Sequence, residues 1–183
     1  DHIFSGRTAS CLVNPRAGIL GLLHDYSAGV PGAWLAEVTA DTVRSIETLA
    51  QLGTGGGDDL VSVLQLARSE ALPEPARVRL LARLRAVVPA VVSRDRVEWA
   101  AYSLQPLKVA PSPQSPVADL IWSELEANLD YQVAAQADGG AWEPNWTWAG
   151  IYPDAWELAR REWCGHLTLE TLTTLRAFGR IEA

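Results

Sequence analysis

Apolar residues return every third or fourth position through most of this chain, and proline or glycine halts each run after a few turns. That rhythm admits helices and leaves little room for a sheet. Asn14-Pro15 supplies a capping side chain and a proline suited to a first helical position, after which Ile19, Leu20, Leu22 and Leu23 build an apolar face. Pro31-Gly32 ends that run, and Leu35, Val38, Thr42, Val43, Ile46 and Leu49 recur at helical spacing as far as Gly53. Leu60, Val63, Leu64 and Ala67 predict a third helix, and Leu80, Leu81, Leu84, Val87, Val88 and Val91 a strongly amphipathic fourth. Over residues 93–116 the period fails: Pro106, Pro111, Pro113 and Pro116 predict an extended connector, and long loops of this kind are often functional. A fifth helix carries Leu120, Ile121, Leu125, Leu129 and Val133 on one face, and two shorter ones follow, Asp154 to Trp163 and Thr168 to Phe178. With no βαβ alternation, the expectation is an all-α chain, one domain over residues 1–183.

Charge removes one class of partner. The formal net charge is −7, so a diffuse attraction to nucleic acid or anionic lipid is not expected. Arg77, Arg79, Arg83, Arg85, Arg94 and Arg96 form a local basic stretch, read here as a solvated helix face. No apolar run has the length of a membrane span. Cys11 and Cys164 match neither a metal nor a redox spacing, and a reduced cytoplasmic protein is expected. The sequence contains no methionine and opens Asp1-His2-Ile3, which suggests a trimmed product or a piece of a longer chain.

The glycine cluster Gly53-Thr54-Gly55-Gly56-Gly57 invites comparison with phosphate loops, but it follows a helix and leads to Asp58 where a Gly-x-Gly-x-x-Gly pattern needs glycine. A helix C-cap passing to Asp58 as the next N-cap accounts for it better.

The C-terminal third contains Gln136-Ala137-Asp138-Gly139-Gly140-Ala141-Trp142, a glutamine at a helix end, a glycine turn and a tryptophan. The order Gln-x-x-x-Gly-x-Trp resembles the repeat of the squalene cyclase and protein prenyltransferase superfamily. The stretch from Asn14-Pro15-Arg16-Ala17-Gly18 to His24, and the ending Trp163-Cys164-Gly165-His166 through Gly179-Arg180, resemble the C-terminal half of bacterial prenyltransferase-like, or squalene-oxidase-repeat, proteins. The resemblance implies an α/α toroid of helical hairpins. It also implies a partial ring, because about seven helices are predicted where a closed toroid has about twelve. A complementary N-terminal half or a homodimer would then cover the open apolar surface. Within the motif, Gln136 is expected to bond backbone groups at neighbouring helix ends while Trp142 packs against them.

The family's chemistry is harder to find. The Asp-x-Asp-Asp acid motif of squalene-type cyclases is absent, and Asp58-Asp59 lacks the further aspartate of an Asp-Asp-x-x-Asp metal cluster, having Ser62 instead. Prenyltransferases bind zinc through aspartate, cysteine and histidine. Cys164 and His166, with Asp154, could do so only if Gly165 made a turn, and a buried thiol beside a histidine is the simpler reading; no metal or other cofactor is assigned. His24, near the end of the first helix, reads as a helix-dipole or core partner. Asp138 either caps the glycine bend or faces a ligand cavity; with His166 it makes the candidate catalytic pair. Trp142, Trp146, Trp148, Tyr152 and Trp156, with Trp163 nearby, are the candidate ligand-binding residues, whose π faces would line a cavity for a hydrophobic, isoprenoid-derived small molecule. The rival expectation is a non-catalytic binding or scaffold protein that keeps the toroid without cyclase chemistry.

Overall fold

Punctuation by proline and glycine translates into eight α-helices among the described residues, with no strand. The computed structural model describes residues 13–54 and 57–182; Cys11, His2, Gly55 and Gly56 lie outside them. The chain divides into two compact units, Asp1–Val91 and Val92–Ala183.

The first unit holds α1 (Val13–Asp25), α2 (Gly32–Thr48), α3 (Asp58–Arg68) and α4 (Glu74–Val91), packed in the cyclic order α1, α2, α4, α3. Asn14 has extended backbone angles, so regular helix begins at Pro15, and its side-chain oxygen accepts from the Ser62 hydroxyl at 2.8 Å. The buried face of α1 is Val13, Ala17, Leu20, Gly21 and His24, while Ile19 and Leu22 point outward. Of the expected apolar face Leu20 is buried, but Ile19 and Leu22 are not, and the small residues Ala17 and Gly21 take part in the packing instead. Small side chains let α1 approach α3 closely: a β-carbon on Gly21 would press on the α3 backbone at Gln65 and Leu66. In α4 the buried stripe narrows to Leu80, Leu84 and Val88.

The basic stretch is exposed at Arg79, Arg85, Arg94 and Arg96, as a solvated face would be, but Arg77 and Arg83 are half-buried and serve as structural joinery. The Arg77 guanidinium donates to the carbonyls of Ala67, Ser69, Glu70 and Leu72, satisfying acceptors that the end of α3 leaves open. Arg83 donates to the Leu49 carbonyl at 2.6 Å, just past the end of α2. Arg79 grips Glu47 with both arms of its guanidinium and holds that carboxyl below its usual range. The glycine cluster also differs from expectation. α2 ends at Thr48, Gly57 is the N-cap of α3 at φ +78°, and Asp59 rather than Asp58 ties the turn by accepting from the Gly53 N–H at 3.0 Å.

The second unit holds α5 (Arg96–Trp99), α6 (Pro106–Val109), a 3-10 turn (Ala118–Leu120), α7 (Trp122–Ala134) and α8 (Pro153–Ala177). Residues 93–116 therefore carry two single-turn helices, the second opened by Pro106 at its first position. Trp99, Val109, Ala110, Val117, Ile121, Leu125, Leu129, Trp142, Trp156 and Leu175 form this unit's core. At the C-terminus one 25-residue helix, α8, replaces the two short ones expected, and it runs through Gly165. A lone glycine costs a helix interior only about 1 kcal/mol, which packing at either end offsets.

Candidate functional site

A buried amide network fixes the geometry of the second unit. Gln105 donates from its side-chain nitrogen to the Trp99 carbonyl at 2.9 Å, and its side-chain oxygen accepts from Asn128 at 3.2 Å and Gln132 at 2.9 Å. Asn128, wholly buried in α7, accepts in turn from the Leu107 N–H at 3.2 Å. Asn145 closes the circuit by donating to the carbonyls of Trp99 and Ala101. Each buried polar atom here satisfies another, so the irregular segment around α5 and α6 is fastened to α7 and to the loop that carries the tryptophans.

That fastening brings Tyr102 and Lys108 beside α8. Together with Trp146, Trp148, Trp163, His166, Leu167 and Glu170 they line a pocket of ≈ 540 Å³. The walls are aromatic. Trp146 and Trp163 meet edge to face at 5.3 Å between ring centroids, and His166 lies edge-on to Trp163 at 5.5 Å. Polar groups are few and sit among them: Lys108 holds its ammonium 5.0 Å from the centroid of the Tyr102 ring and donates to the Ser103 carbonyl, while the His166 Nε2 is 3.9 Å from a Glu170 carboxylate oxygen. An apolar body between the rings and one polar end near Lys108, His166 and Glu170 would satisfy such a lining.

Of the candidates read from the sequence, Trp146, Trp148 and His166 share this pocket. Trp142 and Trp156 are buried instead, each 5% exposed. Trp142 is a joint: its indole N–H donates to the Gln132 carbonyl at 2.8 Å and its backbone N–H to the Thr168 hydroxyl at 3.1 Å, linking α7 to α8. Gln136 staples its own turn, donating to the Gly140 carbonyl at 2.8 Å, rather than a neighbouring helix end. Tyr152 is largely exposed before α8, and Asp138 is exposed in the glycine turn; neither lines the pocket. Because Gly165 is helical, Cys164 and His166 project about 200° apart at roughly 100° per residue, which separates them as ligands for one zinc ion. Among the described residues no group of three His, Cys, Asp or Glu side chains is placed to hold a metal.

Tyr102, Lys108, Leu167 and Glu170 escaped the sequence reading. Trp163, Leu167 and Glu170 follow one another at positions i, i+4 and i+7, a signal that emerges only once the helix is continued through Gly165. No protein-family model, curated protein or solved structure matches the chain. No helix among the described residues is long and apolar enough to cross a membrane.

Proposed function

We propose that residues 92–183 bind a hydrophobic small molecule, isoprenoid-derived in class, between Trp146, Trp148, Trp163 and Tyr102. The observation that carries this reading is the pocket's lining of three indoles and a phenol around only three charged or titratable neighbours, Lys108, His166 and Glu170. Aromatic faces attract polyenes and the cationic character of partly ionised alkenes, while a polar end finds a donor or acceptor close by. Membership in the toroid-forming cyclase and prenyltransferase-like proteins belongs to the same proposal and rests on the Gln136-to-Trp142 motif. Binding rather than turnover is the favoured form of it, since Asp138, the acid paired with His166 in the sequence reading, lies outside the pocket lining.

Titration of the protein with a long-chain isoprenoid alcohol, followed by tryptophan emission, tests the proposal. Saturable one-to-one quenching is expected, weakened by Trp146→Ala and by Leu167→Trp, which fills the pocket. Absence of saturable binding, or binding indifferent to both substitutions, would overturn it.

A further inference from the structure

The outer face of α8 has a composition that its packing inside the unit does not explain. The helix turns Trp156, Trp163, Leu167 and Thr174 toward the unit's interior. On the opposite side, within an arc of about 80° at roughly 100° per residue, it presents Asp154, Leu158, Arg161, Gly165, Leu169, Leu172 and Arg176, all exposed. Leu158 is 59% exposed and Leu169 69%. A surface helix ordinarily keeps this side polar.

The order of those residues is what identifies an occupant. Gly165 is the midpoint of Pro153–Ala177, and nothing lies within 4 Å of the place its β-carbon would take. Leu158 and Leu172 stand two turns to either side of it, and Asp154 and Arg176 three turns to either side, one acidic and one basic. A second copy of α8 laid antiparallel across Gly165 therefore meets its own complement. Leu158 faces the partner's Leu172, Asp154 faces the partner's Arg176, and the aliphatic stem of Arg161 covers the partner's Leu169. Bare glycines at the crossing let the two backbones approach. A parallel arrangement would oppose Asp154 to Asp154 and Arg176 to Arg176. The acid at the N-terminus and the base at the C-terminus also suit the helix dipole, and antiparallel helices align those dipoles favourably as well. From this self-complementarity we infer that α8 is the interface of an isologous homodimer, crossing at Gly165.

Sedimentation velocity over a concentration series tests the interface, with circular dichroism to show that each variant keeps the helical content of the parent, as expected for substitutions at exposed positions. The parent chain should sediment as a dimer. Asp154→Arg and Arg176→Asp should each raise the dissociation constant by about a hundredfold, the scale set by juxtaposed like charges. The double swap should restore dimerisation, which a merely structural role of either residue would not produce. In a background with Cys11 and Cys164 replaced by serine, Gly165→Cys should form an intermolecular disulfide under mild oxidation, while Leu158→Cys alone should not. A folded parent that stays monomeric at high concentration overturns the inference. So does a dimer insensitive to the charge swaps but broken by Ile19→Glu or Leu22→Glu on the exposed face of α1.

Discussion

Gly21 and Leu66 are in backbone contact: a β-carbon on Gly21 would stand 3.2 Å from the Leu66 Cα and 3.3 Å from the neighbouring Gln65 carbonyl oxygen. Two helices can lie this close only where one of them presents no side chain, and the close approach draws Leu20, Val63 and Leu66 into one core. Gly21→Leu should therefore destabilise the chain by about 1–3 kcal/mol, the range for overpacking a tight interior. Urea unfolding measures it; an unchanged midpoint would show that α1 and α3 have slack between them.

His24 makes stability depend on pH. Its Nε2 is 2.9 Å from the Thr39 hydroxyl, whose own proton goes to the Leu35 carbonyl, so the His24 Nε2–H is the donor. Burial lowers its pKa below the ordinary 6.5, against a smaller opposing pull from Asp25. As pH falls through 6.5 the unfolded chain takes up the proton before the folded one does, so stability is whole above that value and declines below it. Melting temperature followed from pH 7.5 down to pH 5.5 should drop for the parent and stay flatter for His24→Gln. Parallel curves would remove His24 as the cause.

Trp142→Ala removes a buried indole, its hydrogen bond to Gln132 and a packing surface between α7 and α8. A loss of about 3–5 kcal/mol is expected from calorimetry or denaturant unfolding. Unaltered stability with altered ligand binding would transfer Trp142 from the joint to the pocket.

Asn128→Leu tests the amide network. The leucine keeps the volume but leaves the Leu107 N–H without its acceptor, at a cost of about 1–3 kcal/mol. Because Lys108 and Tyr102 follow the same segment, isoprenoid binding should weaken as well. Full binding with lowered stability would show that the pocket keeps its shape without Asn128.

The helical character of this chain was legible because periodicity reports burial on a helix directly, as Leu80, Leu84 and Val88 illustrate. Faces were legible only where leucine and valine do the packing. In α1 the buried face includes Ala17 and Gly21 beside Val13, Leu20 and His24, and composition gives small residues no direction. The site was half legible. Trp146, Trp148 and His166 sit close together in sequence, whereas Tyr102 and Lys108 arrive through Gln105, Asn128 and Gln132, polar residues whose pattern in sequence is that of a surface. The arginines were legible as an exposed face but not in their partners: nothing in a run of Arg77, Arg79 and Arg83 shows that each aims at a particular carbonyl or carboxylate.

The tryptophans are divided unevenly: Trp34 alone lies in Asp1–Val91, and the other seven lie in Val92–Ala183. Intrinsic fluorescence is consequently a spectroscopic label for one unit, already written into the chain, and Trp34→Phe would make it exclusive. Far-ultraviolet dichroism, by contrast, sees the helices of both units alike. A melt recorded with the two signals side by side resolves whether heat dismantles the aromatic unit and the arginine-clamped one in a single transition or in sequence.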